Sequence, residues 1–155
     1  MSSARTGYVV RVAESAADRE ACFGVRREVF VEEQGVPEEL EYDAYDAHGA
    51  GAVHVLAVRD EDGAALGAGR FLTTGDPGVG ALGRLAVRKV ARGLGVGAAL
   101  VGAVEEVARG RGIRAVDLHA QTHAMGFYER LGYVAYGPEF PDAGIPHRAM
   151  RKSLR

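Results

Sequence analysis

An arginine followed by three alternating glycines, Arg92-Gly93-Leu94-Gly95-Val96-Gly97-Ala98, stands between an apolar run and a stretch of helical periodicity. Strand, glycine loop and helix in that order suit phosphate. Glycines at 93, 95 and 97 let successive backbone N–H groups turn toward one concavity, and a helix start adds its positive dipole end and its unpaired donors. Arg92 sets a fixed positive charge at the mouth. The implied ligand carries a pyrophosphate.

Two templates fit these glycines. Gly93-x-Gly95-x-x-Ala98 satisfies the dinucleotide-binding fingerprint, with Asp117 about 20 residues later, where an acid that holds a ribose is expected. The surroundings argue against it. Arg88-Lys89-Val90-Ala91-Arg92 separates the strand from the first glycine, Asp117 lies inside Val116-Asp117-Leu118, and too little chain follows for the remaining parallel strands. The other template is Arg/Gln-x-x-Gly-x-Gly/Ala, which Arg92 to Gly97 also matches.

The elements that must hold this loop alternate along the chain without repeats. Tyr8 to Val12 reads as a short strand. Ser15 with Asp18 makes a capping-box-like helix start, and Cys22, Val25 and Val29 recur at helical spacing until Gly35 and Pro37, which predicts a helix of about four turns. Val53 to Arg59 and Ala64 to Thr74 form a hairpin across Asp60-Glu61-Asp62-Gly63. Gly80 to Arg88 is the strand before the loop. Leu100, Val101, Val104, Val107 and Ala108 mark the core face of the helix after it, with Glu105, Glu106, Arg109 and Arg111 on the wet side. Arg114 to His119 is a strand, Thr122 caps a short helix that Gly132 ends, and Tyr133 to Gly137 with His147 to Leu154 makes a last pair. A mixed α/β sheet is expected.

With 155 residues and 47% apolar content, the chain can bury about 70% of its unfolded surface and has room for one domain over 1–155. A net charge of −2 provides no basic field for nucleic acid. The opening residues lack an apolar signal core and no run approaches membrane-spanning length, so a cytoplasmic protein is expected. Cys22, the single cysteine, excludes an intrachain disulfide framework and a thiolate cluster, and reads as a core thiol. His119, Gln121 and His123 cluster without metal-ligand spacing, so no metal is assigned; His119 reads equally as structural or catalytic.

Arg92 to Gly97 resembles the acyl-CoA pyrophosphate loop of the GNAT-superfamily N-acetyltransferases. Ala124-Met125-Gly126-Phe127-Tyr128-Glu129-Arg130-Leu131-Gly132-Tyr133 resembles that superfamily's second signature, Ala-x-x-Phe-Tyr-x-x-x-Gly-Phe/Tyr, at matching separation. Gln121 stands where the family usually has Asn. Ala120-Gln121, the upstream Val29-Phe30-Val31-Glu32-Glu33-Gln34 and the terminal Gly144-Ile145-Pro146-His147-Arg148-Ala149-Met150 are similar to the small bacterial ElaA-like branch. The resemblance implies a GNAT-like α/β fold whose central, mostly antiparallel twisted sheet is flanked by helices. It implies acetyl-CoA as co-substrate, no metal, and direct transfer of acetyl to a primary amine in a ternary complex. It assigns CoA contacts to Leu85, Ala86, Val87, Arg92, Gly93, Leu94, Gly95, Val96, Gly97, Ala98 and Gln121. Tyr128 becomes both a CoA contact and the proton donor to the departing thiolate. Glu139 and His147 belong to the ElaA-like ending, on the substrate side. A non-catalytic acyl-CoA-binding module would keep Arg92 to Ala98 and dispense with Tyr128, while a nucleotide-dependent oxidoreductase would need nicotinamide.

Glu32, Glu33, Glu38, Glu39, Glu41, Asp43 and Asp46 form a run without arginine or lysine between them. It reads as a solvated loop or, since it follows the first helix, as a border of the acceptor groove at which Glu32 and Glu33 attract a cationic amine. The acceptor expected is a small amine or a protein amino group, with no nucleic acid or membrane partner, and a homodimer is compatible with it.

Overall fold

A computed structural model describes residues 7–154, so most of the opening segment read for a signal core lies outside the described residues. Its strands are β1 (Tyr8–Val12), β2 (Val53–Arg59), β3 (Ala65–Thr73), β4 (Val79–Val87), β5 (Ala115–Gln121), β6 (Val134–Asp142) and β7 (Ile145–Ser153). They form one sheet in the order β1-β2-β3-β4-β5-β7-β6. Neighbours are antiparallel except for β4 and β5. The helices are α1 (Ala16–Arg26), α2 (Glu38–Glu41), α3 (Val96–Gly110) and α4 (Met125–Arg130).

Two parallel neighbours need a crossover, and α3 supplies it. The parallel register runs from Val79 opposite Ala115 to Leu82 opposite Leu118 and ends there, although β4 continues to Val87 and β5 to Gln121. The sheet therefore opens between the C-terminal halves of its two central strands. On its other edge β4 carries an extra residue. Gly83 pairs with Arg70 and Ala86 with Ala68, so Arg84 and Leu85 oppose Gly69 alone. Arg84 takes φ +51, a left-handed conformation that costs a non-glycine residue about 1–3 kcal/mol. The extra residue also reverses the alternation of faces: Leu82 packs in the core under α3, whereas Ala86 packs in the one under α1.

The two cores share β2. Val55 and Ala57 join Leu100, Val101, Val104, Val116 and Tyr133 beneath α3 and α4, while Leu56 and Val58 join Cys22, Val25 and Val29 beneath α1. Gly67 seats the first turns of α3, since a Cβ there would lie 2.8 Å from Leu100 Cδ1 and 3.1 Å from Val96 Cγ1. At the start of α1, Ser15 Oγ accepts the Asp18 N–H at 3.0 Å, but the Asp18 carboxylate binds Arg11 instead of closing a reciprocal box. The helical run also exceeds four turns, because α1 continues as a π-helical segment, Arg27–Glu33.

Three further expectations change. Glu105 is buried, accepting from the Tyr133 hydroxyl at 2.9 Å and Lys152 Nζ at 3.1 Å, because the last strands cover that side of α3. Thr122 does not cap α4; its hydroxyl donates to Glu139 across the sheet edge. The final hairpin is longer than its apolar pattern, with β6 carried through Pro138 and Pro141 as an edge strand.

Candidate active site at the opening of the sheet

Past Val87, a short 3₁₀ turn over Lys89–Ala91 carries the chain to Arg92. Gly93 and Gly95 hold φ +85 and +81, which turns the loop under the start of α3. Gly95 is the N-cap and offers no side chain, and the first intrahelical bond is from Ala99 N–H to Gly95 O at 3.1 Å. The N–H groups of Val96, Gly97 and Ala98 thus project from an uncapped helix start. Above Gly97 the space is narrow: a Cβ would lie 3.1 Å from Phe127 Cζ and 3.7 Å from Val87 Cγ2. A cradle of backbone donors, floored by glycine and set at a positive dipole end, fits a pyrophosphate. The dinucleotide template loses its acid, since Asp117 is held in mid-strand by Arg151 Nη2 at 2.9 Å and by the Tyr136 hydroxyl at 2.8 Å.

Along the opening, Arg88 N–H donates to Leu66 O at 2.9 Å, which sets the phase of the ladder past the bulge. By antiparallel alternation the N–H of Ala86 is turned to β3, and those of Leu85 and Val87 are turned toward the gap. Val87 O accepts from Arg92 Nε at 3.0 Å. Tyr128 is buried on α4 with ring centroids 4.9 Å from Phe127 and 6.0 Å from Tyr133. Among the described residues its hydroxyl has no hydrogen-bond partner. Burial pushes it up to about 12, so it keeps its proton at neutral pH.

The other expected residues fall on the two rims. Arg92 is already engaged: its Nη1 and Nη2 meet Glu33 Oε2 and Oε1 at 2.6 and 2.8 Å. That bond holds the Glu33 carboxyl below its usual range, outweighing a small desolvation effect. Leu94 is exposed, and its carbonyl accepts the Tyr8 hydroxyl at 3.3 Å. Arg88 binds Glu28 with Nε 3.1 Å from both oxygens, so the π-helical segment is fastened twice to the strand–loop junction. Gln34, one residue beyond that segment, exchanges amide hydrogen bonds with Gln121 at the end of β5, at 2.8 and 3.4 Å. His123 Nε2 lies 2.7 Å from Gln121 Oε1. On the far rim His147 pairs in register with Gln121, is buried, and holds its Nδ1 2.7 Å from Ile145 O. Phe140 lies between His119 and His147, and Glu139 accepts from Thr122 at 3.1 Å. Glu32, on the opposite rim, is exposed with Arg27 Nε at 3.5 Å.

The acidic run is neither a free loop nor a free field. Among the described residues each of its carboxylates except Glu39 faces an arginine. Arg26, 1% exposed, donates to Glu41 Oε2 at 2.8 Å and to Asp46 Oδ1 and Oδ2 at 2.7 and 2.9 Å. Arg70 binds Asp43 and Asp46 at 2.8 and 3.0 Å. Arg84 completes the cluster from the bulge. Three cations thus meet three anions along β3, β4 and α1. Burial pushes the Glu41 carboxyl up despite Arg26, whereas for Asp46 burial is outweighed by the Arg26 hydrogen bond, the Asp43 N–H and the charges of Arg26 and Arg70, which hold it well below the usual range. His54 packs edge-on to Phe23 at 5.5 Å, and burial lowers its pKa.

A model of the acetyltransferase (GNAT) domain matches residues 12–154. The chain belongs to the GNAT acetyltransferase family. It is 39% identical over 142 residues to the uncharacterized N-acetyltransferase YjcF of Bacillus subtilis (strain 168), covering 91% of this chain and 96% of that protein. A solved structure from Lactobacillus plantarum matches with a TM-score of 0.86 at 30% identity, covering 96% of this chain and 99% of that one. Escherichia coli ElaA matches at 0.78 and 26%, covering 94% and 97%. The mostly antiparallel seven-stranded sheet is thus the fold of this GNAT family, and the likeness to ElaA extends over nearly the whole chain.

Sequence reading missed the arginines that meet the acidic run and the Gln34–Gln121 bridge. A signal for the arginines was present: Arg70 and Arg84 interrupt otherwise apolar strands, Leu66-Gly67-Ala68-Gly69-Arg70-Phe71-Leu72 and Ala81-Leu82-Gly83-Arg84-Leu85-Ala86-Val87. A charge in such a run needs a partner, and the base-free acidic run supplies it.

Proposed function

We propose that this GNAT protein is an acetyl-CoA-dependent N-acetyltransferase that acts on a primary amine by direct attack in a ternary complex. The observation carrying the reading is a coincidence at the opening of the sheet: a glycine-made helix start, outward-turned N–H groups on a bulged strand, and the unpartnered hydroxyl, among the described residues, of a tyrosine whose ring is buried. Acetyl-CoA would bring an acyl thioester. The backbone from Gly93 through Ala98 holds the pyrophosphate, with Arg92 exchanging Glu33 for phosphate. The N–H groups of Leu85 and Val87 face the thioester oxygen, where charge develops. Gln121 borders the pantetheine side.

An amine of pKa near 10 is neutral in only about one molecule per thousand at pH 7, so a base must take its proton. His147 suits that task. Its Nδ1 hydrogen is committed to Ile145 O, which leaves the Nε2 lone pair to accept. Glu32 and Glu139 stand on the two rims as acceptor contacts. The neutral amine nitrogen attacks the acyl carbon, the carbon–sulfur bond breaks as Tyr128 gives its proton to the sulfur, and the proton that the nitrogen sheds on becoming an amide restores the Tyr128 hydroxyl through solvent. Cys22 supports transfer without an acyl-enzyme, since its thiol is buried, bonded to Val55 O at 3.6 Å and pushed up to about 12. Calorimetry with acetyl-CoA, CoA and NAD, then thiol release over a panel of amines, tests the proposal. Binding of acetyl-CoA and CoA with amine-dependent thiol release is expected. Binding without release would leave an acyl-CoA-binding module, and NAD binding alone would reverse the reading.

A further inference from the structure

Arg84 is the strained residue at the centre of the site, and its side chain does not enter the gap. The guanidinium reaches over the α1 face of the sheet to the last residue of α2 and to Asp43 just beyond it. Its Nε donates to Glu41 O at 3.0 Å and lies 3.3 Å from Glu41 Oε2, and its Nη2 donates to Asp43 Oδ2 at 3.2 Å. One residue therefore links the bulge, where β4 turns its N–H groups toward the opening, to residues 38–46, whose other ties run to Arg26 of α1 and Arg70 of β3 on the face opposite α3. We infer that Arg84 is a positioning residue for acceptor binding: it sets the 38–46 segment against the bulge so that the approach from the α1 face has one width. This rests on the acetyltransferase reading above.

The backbone and the side chain of Arg84 make separable contributions. A fork-shaped guanidinium can meet a carbonyl and two carboxylates at once, which an ammonium cannot. The left-handed φ is a cost for arginine but not for glycine. Arg84→Gly should therefore keep the bulge, relax its backbone and release only the 38–46 segment. The rest of the cluster, Arg26 and Arg70 with Asp46, would still hold the chain folded.

The test compares Arg84→Gly and Arg84→Lys with the parent in three measurements. These are hydrogen–deuterium exchange of residues 38–46, acetyl-CoA affinity by calorimetry, and kcat with acceptor KM. The acceptor is whichever of spermidine, kanamycin and a short peptide's amino terminus the parent acetylates fastest. Expected for Arg84→Gly are faster exchange in 38–46, an acceptor KM raised about tenfold, and acetyl-CoA affinity close to the parent's. Arg84→Lys should recover part of the KM. The inference is overturned if exchange in 38–46 or the acceptor KM matches the parent's in Arg84→Gly, or if the loss falls on acetyl-CoA affinity. A parent that binds no acetyl-CoA, seen in its own calorimetry, removes the acetyltransferase reading and this inference with it.

Discussion

The two rims of the opening are built from different materials. The rim at α3 is backbone: glycine dihedrals, uncapped N–H groups and a bulged strand, contributed by neighbours in sequence between Arg84 and Ala98. The rim at α1 and α2 is side chains, with Arg26, Arg70 and Arg84 tied to carboxylates 15 to 43 residues away. A backbone site tolerates substitution everywhere except where a Cβ or a dihedral intrudes. A side-chain cluster depends on each charge keeping its partner, since breaking a buried pair leaves an uncompensated charge. Substitutions at the first rim should therefore change affinity and rate with the fold intact, and those at the second should change stability.

The largest expected effect is on the second rim. Arg26→Met keeps the packing volume and removes the cation shared by Glu41 and Asp46, which should cost about 3–5 kcal/mol of unfolding free energy, read from urea midpoints at pH 7. The pH dependence carries a sign. Asp46 has a lowered folded pKa, so in the parent its contribution is present above the unfolded value of about 3.9 and is lost as pH falls through the folded one. Without Arg26 that lowering weakens, so the deficit of the variant should shrink below about pH 4. A constant deficit from pH 7 to 3 would mean the loss is packing alone.

Beside the first rim, the largest effect belongs to Tyr128 of α4. Phenylalanine keeps the ring against Phe127 and Tyr133 and removes only the hydroxyl. A thiol of pKa near 8.5 leaves tolerably as an anion, so kcat should fall about 100-fold, the low end for acid catalysis, with CoA affinity unchanged. Because burial raises Tyr128 to about 12 and the donor is the protonated form, the parent should show no alkaline loss of kcat from this residue below about pH 11. Full turnover by Tyr128→Phe would return the residue to packing.

A smaller change separates dihedral from side chain. Gly95→Ala forces a Cβ onto φ +81, at about 1–2 kcal/mol, so CoA affinity should drop about tenfold as the loop relaxes, and Gly95→Val should lose more. Gly102, in the same helix with open space around its would-be Cβ, is the control: alanine there should stabilise by about 1 kcal/mol and leave CoA binding alone. Equal effects at the two glycines would show that the loop does not need its left-handed turn.

The same difference in material explains what the sequence made legible. Arg92 to Ala98 could be read as a phosphate site because its parts are contiguous and each glycine carries its reason locally. The hairpin at Asp60-Glu61-Asp62-Gly63 and the core face of α3 were legible through turn chemistry and period. The extra residue at Arg84 was not, because a bulge is a property of a pair of strands, and nothing in Leu82-Gly83-Arg84-Leu85 says that Gly69 will face two residues. Glu105 misled for a related reason. It sits at a wet position of the α3 pattern, and only the return of β6 and β7 brings Tyr133 and Lys152 over it. The acidic run looked free because its partners lie on other elements.

The smallest expected effect lies where the rims touch. Glu33 and Arg92 form a two-point pair, with side chains 37% and 41% exposed, and the guanidinium is the one the pyrophosphate is proposed to take. If Glu33 chiefly attracts a cationic acceptor, Glu33→Gln should raise acceptor KM and leave CoA alone. If it chiefly occupies Arg92, the same change should release that arginine and tighten CoA binding. Exposed pairs are worth about 0.2–1 kcal/mol, so the gain should be about two- to fivefold, and it should shrink in high salt as screening weakens both contacts of Arg92. Arg92→Gln alone should weaken CoA, and adding Glu33→Gln to it should change nothing further, since the competition needs both members. Calorimetric CoA affinities of the parent, both single variants and the double variant decide between the two roles. A Glu33→Gln variant with parental CoA affinity and a raised acceptor KM would assign Glu33 to the acceptor and leave the rims energetically separate.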